Sequence, residues 1–305
     1  MSPSMRYVVT GGSGFIGSYI VKRLLDENHD VIIFDNFSRG KMENLREIEE
    51  KITIKHGDIL DFESLTDSIS NVDGIFHEAA LTSVPESFSN PEKYHNVNVN
   101  GTENIFKIAL NLGIKVVYAS SSSVYGNTSV MPISENFEKN PINPYGITKL
   151  DDEKLSQKYH ELGASIIGMR YFNVYGIGQT LDYAGVITKF YDCINENISP
   201  VVFGNGSQIR DFISVEDVAD ANYQAMKSNF DFGFLNIGTG VATSILELAK
   251  LMIKLSKKDV KPIFGELPPG DVLKSQAETK FTKESIDWSY TTTLESGLKK
   301  FFFRD

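Results

Sequence analysis

The chain has 305 residues, 41% hydrophobic and 23% charged, with a formal net charge of −10. That balance fits a soluble globular protein, and an acidic chain argues against nucleic-acid or anionic-membrane partners, which are met by basic patches. The single cysteine, Cys193, excludes an intrachain disulfide and points to a reducing, cytoplasmic setting.

Residues 1–6 carry no apolar signal region, and no apolar run approaches the roughly 20 residues that span a bilayer. A β-rich run at 7–10 leads into a glycine-rich turn and a helical pattern over 15–27. Apolar runs at 31–34, 52–54, 74–77, 115–119 and 165–169 read as further strands. Helical stretches lie between most of them, notably 91–112 and 145–162. Short, almost wholly apolar strands separated by helices predict a doubly wound α/β fold, its parallel sheet covered on both faces.

The remainder is less regular. Strands are expected at 201–203 and 234–237 and helices at 215–228 and 243–256, before Pro262, Pro268, Pro269 and Gly270 break the pattern. We place the sheet domain at 1–172, rejoined by about 211–238. A smaller α/β lobe, 173–305, would cover the C-terminal edge of the sheet, where open α/β sheets bind ligands.

Thr10-Gly11-Gly12-Ser13-Gly14-Phe15-Ile16-Gly17 joins the first strand to the first helix and satisfies both GxGxxG and GxxGxxG. Glycines there permit a tight turn and close approach of backbone to a pyrophosphate, and the helix N-terminus offers free N–H groups. Asp35 ends the second strand at the expected spacing, where a carboxylate accepts ribose hydroxyls and repels a 2′-phosphate, so NAD is expected over NADP, with Arg39 nearby as an opposing influence. Asp58, after the third strand, is either a contact to the adenine amine or a turn aspartate; spacing weighs both equally.

Tyr145 and Lys149 form a YxxxK pair, and residues four apart share a helix face. A tyrosine of ordinary pKa, about 10, is a poor base at neutral pH, and a nearby ammonium stabilises its phenolate. The serine run 120–123 at the end of the fifth strand offers a hydroxyl partner, and spacing alone leaves the choice among the four open. No metal is expected.

With these motifs stand His77-Glu78-Ala79-Ala80, Arg170-Tyr171-Phe172-Asn173-Val174-Tyr175-Gly176 and Arg210-Asp211-Phe212-Ile213-Ser214-Val215-Glu216-Asp217. Together they resemble the extended short-chain dehydrogenase/reductase family, specifically its nucleotide-sugar 4-epimerases, over about residues 5–300. The resemblance implies a Rossmann sheet and a retained NAD. It also implies a UDP-sugar substrate inverted at C4 through a transient 4-keto sugar, and a homodimer built on helices 91–112 and 145–162. UDP-glucose and UDP-galactose are the implied substrates, with their N-acetylhexosamine forms alongside.

By the same resemblance Tyr145 is the base, Lys149 its pKa modifier and Ser121 the hydroxyl partner, with Ser120 in a lesser role. Gly11, Gly14, Phe15, Ile16, Gly17, Asp35, Asn36, Ser38, Gly40, Asp58, Ile59, Ala79, Ala80 and Asn98 line the cofactor site, and Tyr171 lies near the nicotinamide. Ser122, Ser123, Val186 and Gln208 adjoin the substrate. Asn173 and Arg210 contact its diphosphate, Val202 and Phe203 flank the uracil, and Asp271 meets the ribose. The chain departs from the pattern at Pro268, where many relatives carry an arginine, with Lys274 as a substitute cation. Ser275 occupies the size gate beside the sugar, where a small residue leaves room for an N-acetyl group.

The rival readings differ at single features. A 4,6-dehydratase needs an acid where this chain has Ser122-Ser123, and a 4-keto reductase needs an exchanging, usually phosphorylated cofactor that Asp35 disfavours. A glucuronate 4-epimerase differs only in the sugar. A non-catalytic NAD-binding protein has no need of the Tyr145 and Lys149 present here.

Overall fold

The structure, a computed structural model, describes residues 3–179, 185–266 and 272–303. The first half runs β1 (Arg6–Thr10), α1 (Phe15–Asp26), β2 (Asp30–Asp35), β3 (Thr53–His56), α2 (Phe62–Ile69), β4 (Gly74–His77), α3 (Val84–Ser89), α4 (Pro91–His95), α5 (Gly101–Leu112), β5 (Lys115–Ser121), α6 (Pro144–Glu161) and β6 (Ile166–Tyr171). The second runs β7 (Asn173–Tyr175), α7 (Val186–Asn195), β8 (Val201–Phe203), β9 (Ile209–Arg210), β10 (Phe212–Ser214), α8 (Val215–Lys227), β11 (Phe232–Ile237), β12 (Thr243–Ser244), α9 (Ile245–Ser256), β13 (Ile263–Gly265), α10 (Lys280–Ile286) and α11 (Leu294–Phe302).

Seven strands form one parallel sheet in the order β11-β6-β5-β4-β1-β2-β3. The order reverses between β1 and β4, which makes the crevice at their C-terminal ends the switch point where such sheets bind ligands. Both faces are covered, so β4 and β6 are buried along their whole length. On one face Val9 and Ile33 pack with Ile20 and Leu24 of α1 and Val218 of α8. On the other, Val8 and Val116 pack with Leu65 of α2, Phe106 of α5 and Tyr159 of α6. A separate core of Ile187, Phe190, Val202, Leu248, Met252 and Phe301 holds the lobe together.

One expectation changes. The helix over 91–112 is interrupted by a π-helical turn, Asn96–Asn100, which buries Asn98 and Val99; such bulges recur at functional sites. The strand expected at 201–203 forms, and it pairs with β13 in a two-stranded sheet of its own. Helix α6 is unusual in what it buries: Thr148, Lys149, Asp152, Glu153 and Ser156 face inward. A polar stripe so placed needs partners to offset its desolvation. Among the described residues no helix is long and apolar enough to cross a membrane.

Candidate active site

The glycine turn is held by contacts that leave no room for side chains. Gly11 has φ +67°, and a Cβ there would sit 2.7 Å from Ala79 N. At Gly17 it would sit 2.2 Å from the Gly11 carbonyl oxygen, so α1 can approach the turn only without a side chain. Gly14 caps α1 without any side-chain hydrogen bond. The first-turn N–H groups and the positive dipole end therefore remain available to an anion. Asp35 holds the other end: its Oδ2 accepts from Ser13 N at 3.0 Å and Ser13 Oγ at 2.5 Å, and its Oδ1 from Phe37 N at 2.8 Å.

These groups line two adjoining cavities. One, of about 320 Å³, is lined by Gly11, Gly14, Phe15, Ile16, Gly17, Ala80, Ser120, Ser121, Tyr145, Lys149 and Tyr171, with Glu78, Thr82 and Gln179. The other is lined by Asp35, Asn36, Ser38, Gly40, Asp58, Ile59 and Ala79, and shares Gly11, Gly14, Glu78 and Ala80 with the first. A third, of about 400 Å³, continues past Thr82, Val174 and Gln179 to Asn173, Val186 and Lys189. The larger two match the size range of small-molecule sites, about 300–1,000 Å³. Arg39 is ion-paired to Glu86 at 2.6 Å beside this groove. Asp58 accepts from Leu60 N and Asn36 Nδ2, both at 2.9 Å, so it shapes the turn while it borders the cavity.

Tyr145 and Lys149 share one face of α6, and both reach the first cavity. Lys149 is 2% exposed, and its Nζ donates to Asp152 Oδ2 at 3.2 Å. Burial works against the ammonium, but Asp152, Tyr145 and Glu78 more than offset it and raise the Lys149 pKa. Facing it, burial pushes the Glu78 carboxyl up to about 8. The Tyr171 hydroxyl donates to Glu78 Oε1 at 2.9 Å and accepts from Asn222 Nδ2 at 2.8 Å. Ser121 Oγ lies 3.1 Å from Ser123 Oγ at the mouth of β5.

Two expectations are corrected, those for Asn98 and Val202, while Ser120 keeps its place in the lining of the first cavity with its hydroxyl engaged. Asn98 is wholly enclosed; it bonds Leu81 N, Leu81 O and Thr148 Oγ1, so it braces the cavity wall without lining it. Ser120 Oγ is taken by Glu153 Oε1 at 2.7 Å. Val202 has no exposed surface and packs in the lobe core, because alternate residues of a strand face opposite sides and Phe203, 46% exposed, takes the outer one.

Phe203, Gln208, Arg210, Ser275, Ser122 and Ser123 lie outside the lining of these three cavities. Gln208 Nε2 donates to Phe203 O, Arg210 Nη1 to Ile209 O, and Ser275 N to Ile209 O. Asp271 and Pro268 lie outside the described residues. Sequence reasoning missed Glu78, Thr82, Gln179 and Lys189 as lining groups. Glu78 stood in a quoted motif, but nothing local distinguishes Lys189 from any helix-surface lysine.

The cradle fits a dinucleotide: a glycine turn closed to side chains, an uncapped helix N-terminus and a strand-end carboxylate, all along one groove. The chain matches the model of the NAD dependent epimerase/dehydratase family over residues 7–238 and belongs to that family. Its cofactor is accordingly NAD. It is 38% identical over 299 residues, 96% of each chain, to a putative UDP-glucose 4-epimerase of Methanocaldococcus jannaschii. Its fold matches UDP-N-acetylglucosamine 4-epimerase of Methanobrevibacter ruminantium in complex with UDP-N-acetylmuramic acid, at TM-score 0.94 and 36% identity, covering 98% of this chain and 97% of that one. UDP-glucose 4-epimerase of Thermotoga maritima with UDP-glucose matches at TM-score 0.92 and 34% identity, covering 97% and 96%.

Proposed function

We propose that this NAD-dependent UDP-sugar epimerase acts as a UDP-hexose 4-epimerase on UDP-glucose and UDP-galactose, with the N-acetylhexosamine forms also accepted. The observation that carries the reading is the Tyr145–Lys149 pair on α6, opening onto the cavity that begins at the glycine turn. NAD, when bound, supplies the reversible oxidation of the sugar carbon. The chain's own residues do the rest. Tyr145 accepts the C4 hydroxyl proton as a phenolate and later returns it; Lys149 favours that phenolate. Ser121 bonds the same substrate oxygen. Asn173, Arg210 and Lys189 hold the diphosphate, Phe203 packs on the base, and the 4-keto sugar turns over while tethered.

No acid stands among Ser121, Ser122 and Ser123, which disfavours dehydration. Ser275 is small, which supports acceptance of an N-acetyl group. Exposed Leu112, Ile147 and Leu162 support a homodimer through α5 and α6. To test the reading, UDP-galactose, UDP-N-acetylgalactosamine and UDP-glucuronate are each incubated with the protein without added cofactor, and the products are resolved chromatographically. A C4 epimer lost in Tyr145→Phe is expected from the first two; no epimer from any, even with NAD added, overturns the proposal.

A further inference from the structure

The Lys149 ammonium has a partner that the scheme above does not use. Asp152, one helical turn on, has no exposed surface, and its Oδ2 accepts from Lys149 Nζ at 3.2 Å. Its other oxygen, Oδ1, is buried with no hydrogen-bond partner among the described residues. A carboxylate enclosed with one oxygen unsatisfied is costly. It is offset here only by the cation it touches, and that cation is the one beside Tyr145.

We infer that Asp152 is a positioning residue for Lys149, fixing the direction and the charge of its ammonium against Tyr145 and the cofactor ribose. The inference rests on the reading of Tyr145 and Lys149 given above. A lysine enclosed without an anion loses its proton readily, since burial disfavours the charged form. Asp152 prevents this. The groups acting on the pair are few. Glu78 and His77 face Lys149 from the end of β4, Tyr118 faces Asp152 from β5, and Tyr145, Asp151 and Glu153 lie on α6 itself. Glu78 is the other carboxyl, and burial keeps it protonated up to about pH 8. Burial raises the Asp152 carboxyl too, to about 7, although its contact with Lys149 works the other way. From neutral pH upward Asp152 therefore ionises ahead of Glu78 and is the nearer anion to Lys149.

The test compares wild type with Asp152→Asn, Asp152→Ala and Asp152→Glu between pH 6.5 and 10.5. Two readouts are taken on the purified holoenzyme: NAD retained after gel filtration at each pH, and the rate of UDP-galactose epimerisation. In Asn and Ala, both curves should fall at least one pH unit earlier on the alkaline side than in wild type, which is a tenfold loss where wild type is still on its plateau. Glu should restore the wild-type limb. Losses uniform across pH would mean a merely structural role and overturn the inference, as would superimposable curves. Should neither Asn nor Ala fold, a wild-type descending limb below about pH 9.5 overturns it and one at or above that pH supports it. NAD retention that shifts as expected in a protein that turns over no UDP-galactose would sink the substrate reading and leave this one standing.

Discussion

Arg170 of β6 and Glu153 of α6 form a forked ion pair, Nε to Oε1 at 2.7 Å and Nη2 to Oε2 at 2.8 Å, with almost no exposed surface on either side chain. Arg170 Nη1 also donates to Tyr125 Oη and Glu135 O, both at 2.8 Å, and Ser120 donates to Glu153. The pair lies one helical turn beyond Lys149. It pins the helix that carries Tyr145 and Lys149 to the strand that carries Tyr171, so the geometry of the groove depends on it.

Removing one member of such a pair leaves the other charge buried without compensation, a loss of about 3–5 kcal/mol. Glu153→Ala is expected to lose that much in urea unfolding at pH 7, and Glu153→Gln nearly as much. The double variant Glu153→Leu with Arg170→Met removes both charges and should recover most of the stability. It should still lose epimerisation rate, because the α6 anchor is gone. A double variant no more stable than Glu153→Ala would show that the uncompensated charge accounts for little of the loss.

The glycine turn makes a second, separate prediction. A Cβ at Gly17 meets backbone of Gly11 at 2.2 Å, so the turn must open rather than a side chain rotate. Gly17→Ala is expected to keep its far-ultraviolet circular dichroism and to lose at least tenfold in NAD retention. Unaltered NAD content would mean that the turn accommodates a methyl group.

How far the fold and site are legible in the sequence depends on sequence separation. The turn and its helix, the strand-end Asp35 and the YxxxK pair are local patterns, each within eight residues or at a fixed spacing, and the parallel sheet follows from apolar runs between helices. Arg170 and Glu153 are 17 residues apart on a strand and a helix, with no periodicity linking them. Lys149 and Asp152 are three apart, yet a polar helix face reads as solvated until the fold turns it inward. Val202 defeats a sequence reading because a three-residue strand carries no phase: only β13 and the lobe core decide which residue faces out. Asn98 falls in a π-helical turn that no local signal announces.

Tyr145→Phe keeps the ring and removes the proton acceptor. General acid–base groups contribute typically about 10²- to 10⁴-fold. The rate should fall within that range while NAD retention stays at the wild-type level, since the Lys149–Asp152 contact and the glycine turn are untouched. A drop below tenfold would point to another base.

Ser275 offers a test of sugar choice. Its backbone N–H is tied to Ile209 O at 3.1 Å and it is 8% exposed. If it stands beside the sugar, Ser275→Tyr should fill the space of an N-acetyl group. The ratio of kcat/KM for UDP-N-acetylgalactosamine over UDP-galactose should drop at least tenfold, with the UDP-galactose value little changed. Unchanged N-acetyl activity would remove Ser275 from the sugar pocket.

Stability should also depend on pH in a way set by the groove. His77 is enclosed between Thr10 Oγ1 at 2.7 Å and Thr102 Oγ1 at 2.8 Å, and burial, reinforced by Lys149, depresses its pKa to about 3. Its unfolded value lies near 6.5, so below that pH the unfolded chain takes up a proton that the fold refuses, and stability falls as pH drops. Above about 6.5 His77 contributes no slope. Glu78 works in the opposite sense: burial raises its folded pKa to about 8, above the ordinary glutamate value, so the fold holds a proton that the unfolded chain has lost. Its contribution is complete at low pH and is lost as pH rises to about 8. Between pH 6.5 and 8 the cofactor-free protein should therefore weaken with rising pH, by at most about 1.4 kcal/mol per unit from this one group. Urea unfolding at pH 6.5, 7.2 and 8.0 measures the slope. Glu78→Gln, which keeps the shape and the hydrogen bond from Tyr171 without the titration, should reduce it. An identical slope in wild type and variant would mean that Glu78 is ionised in the fold at neutral pH.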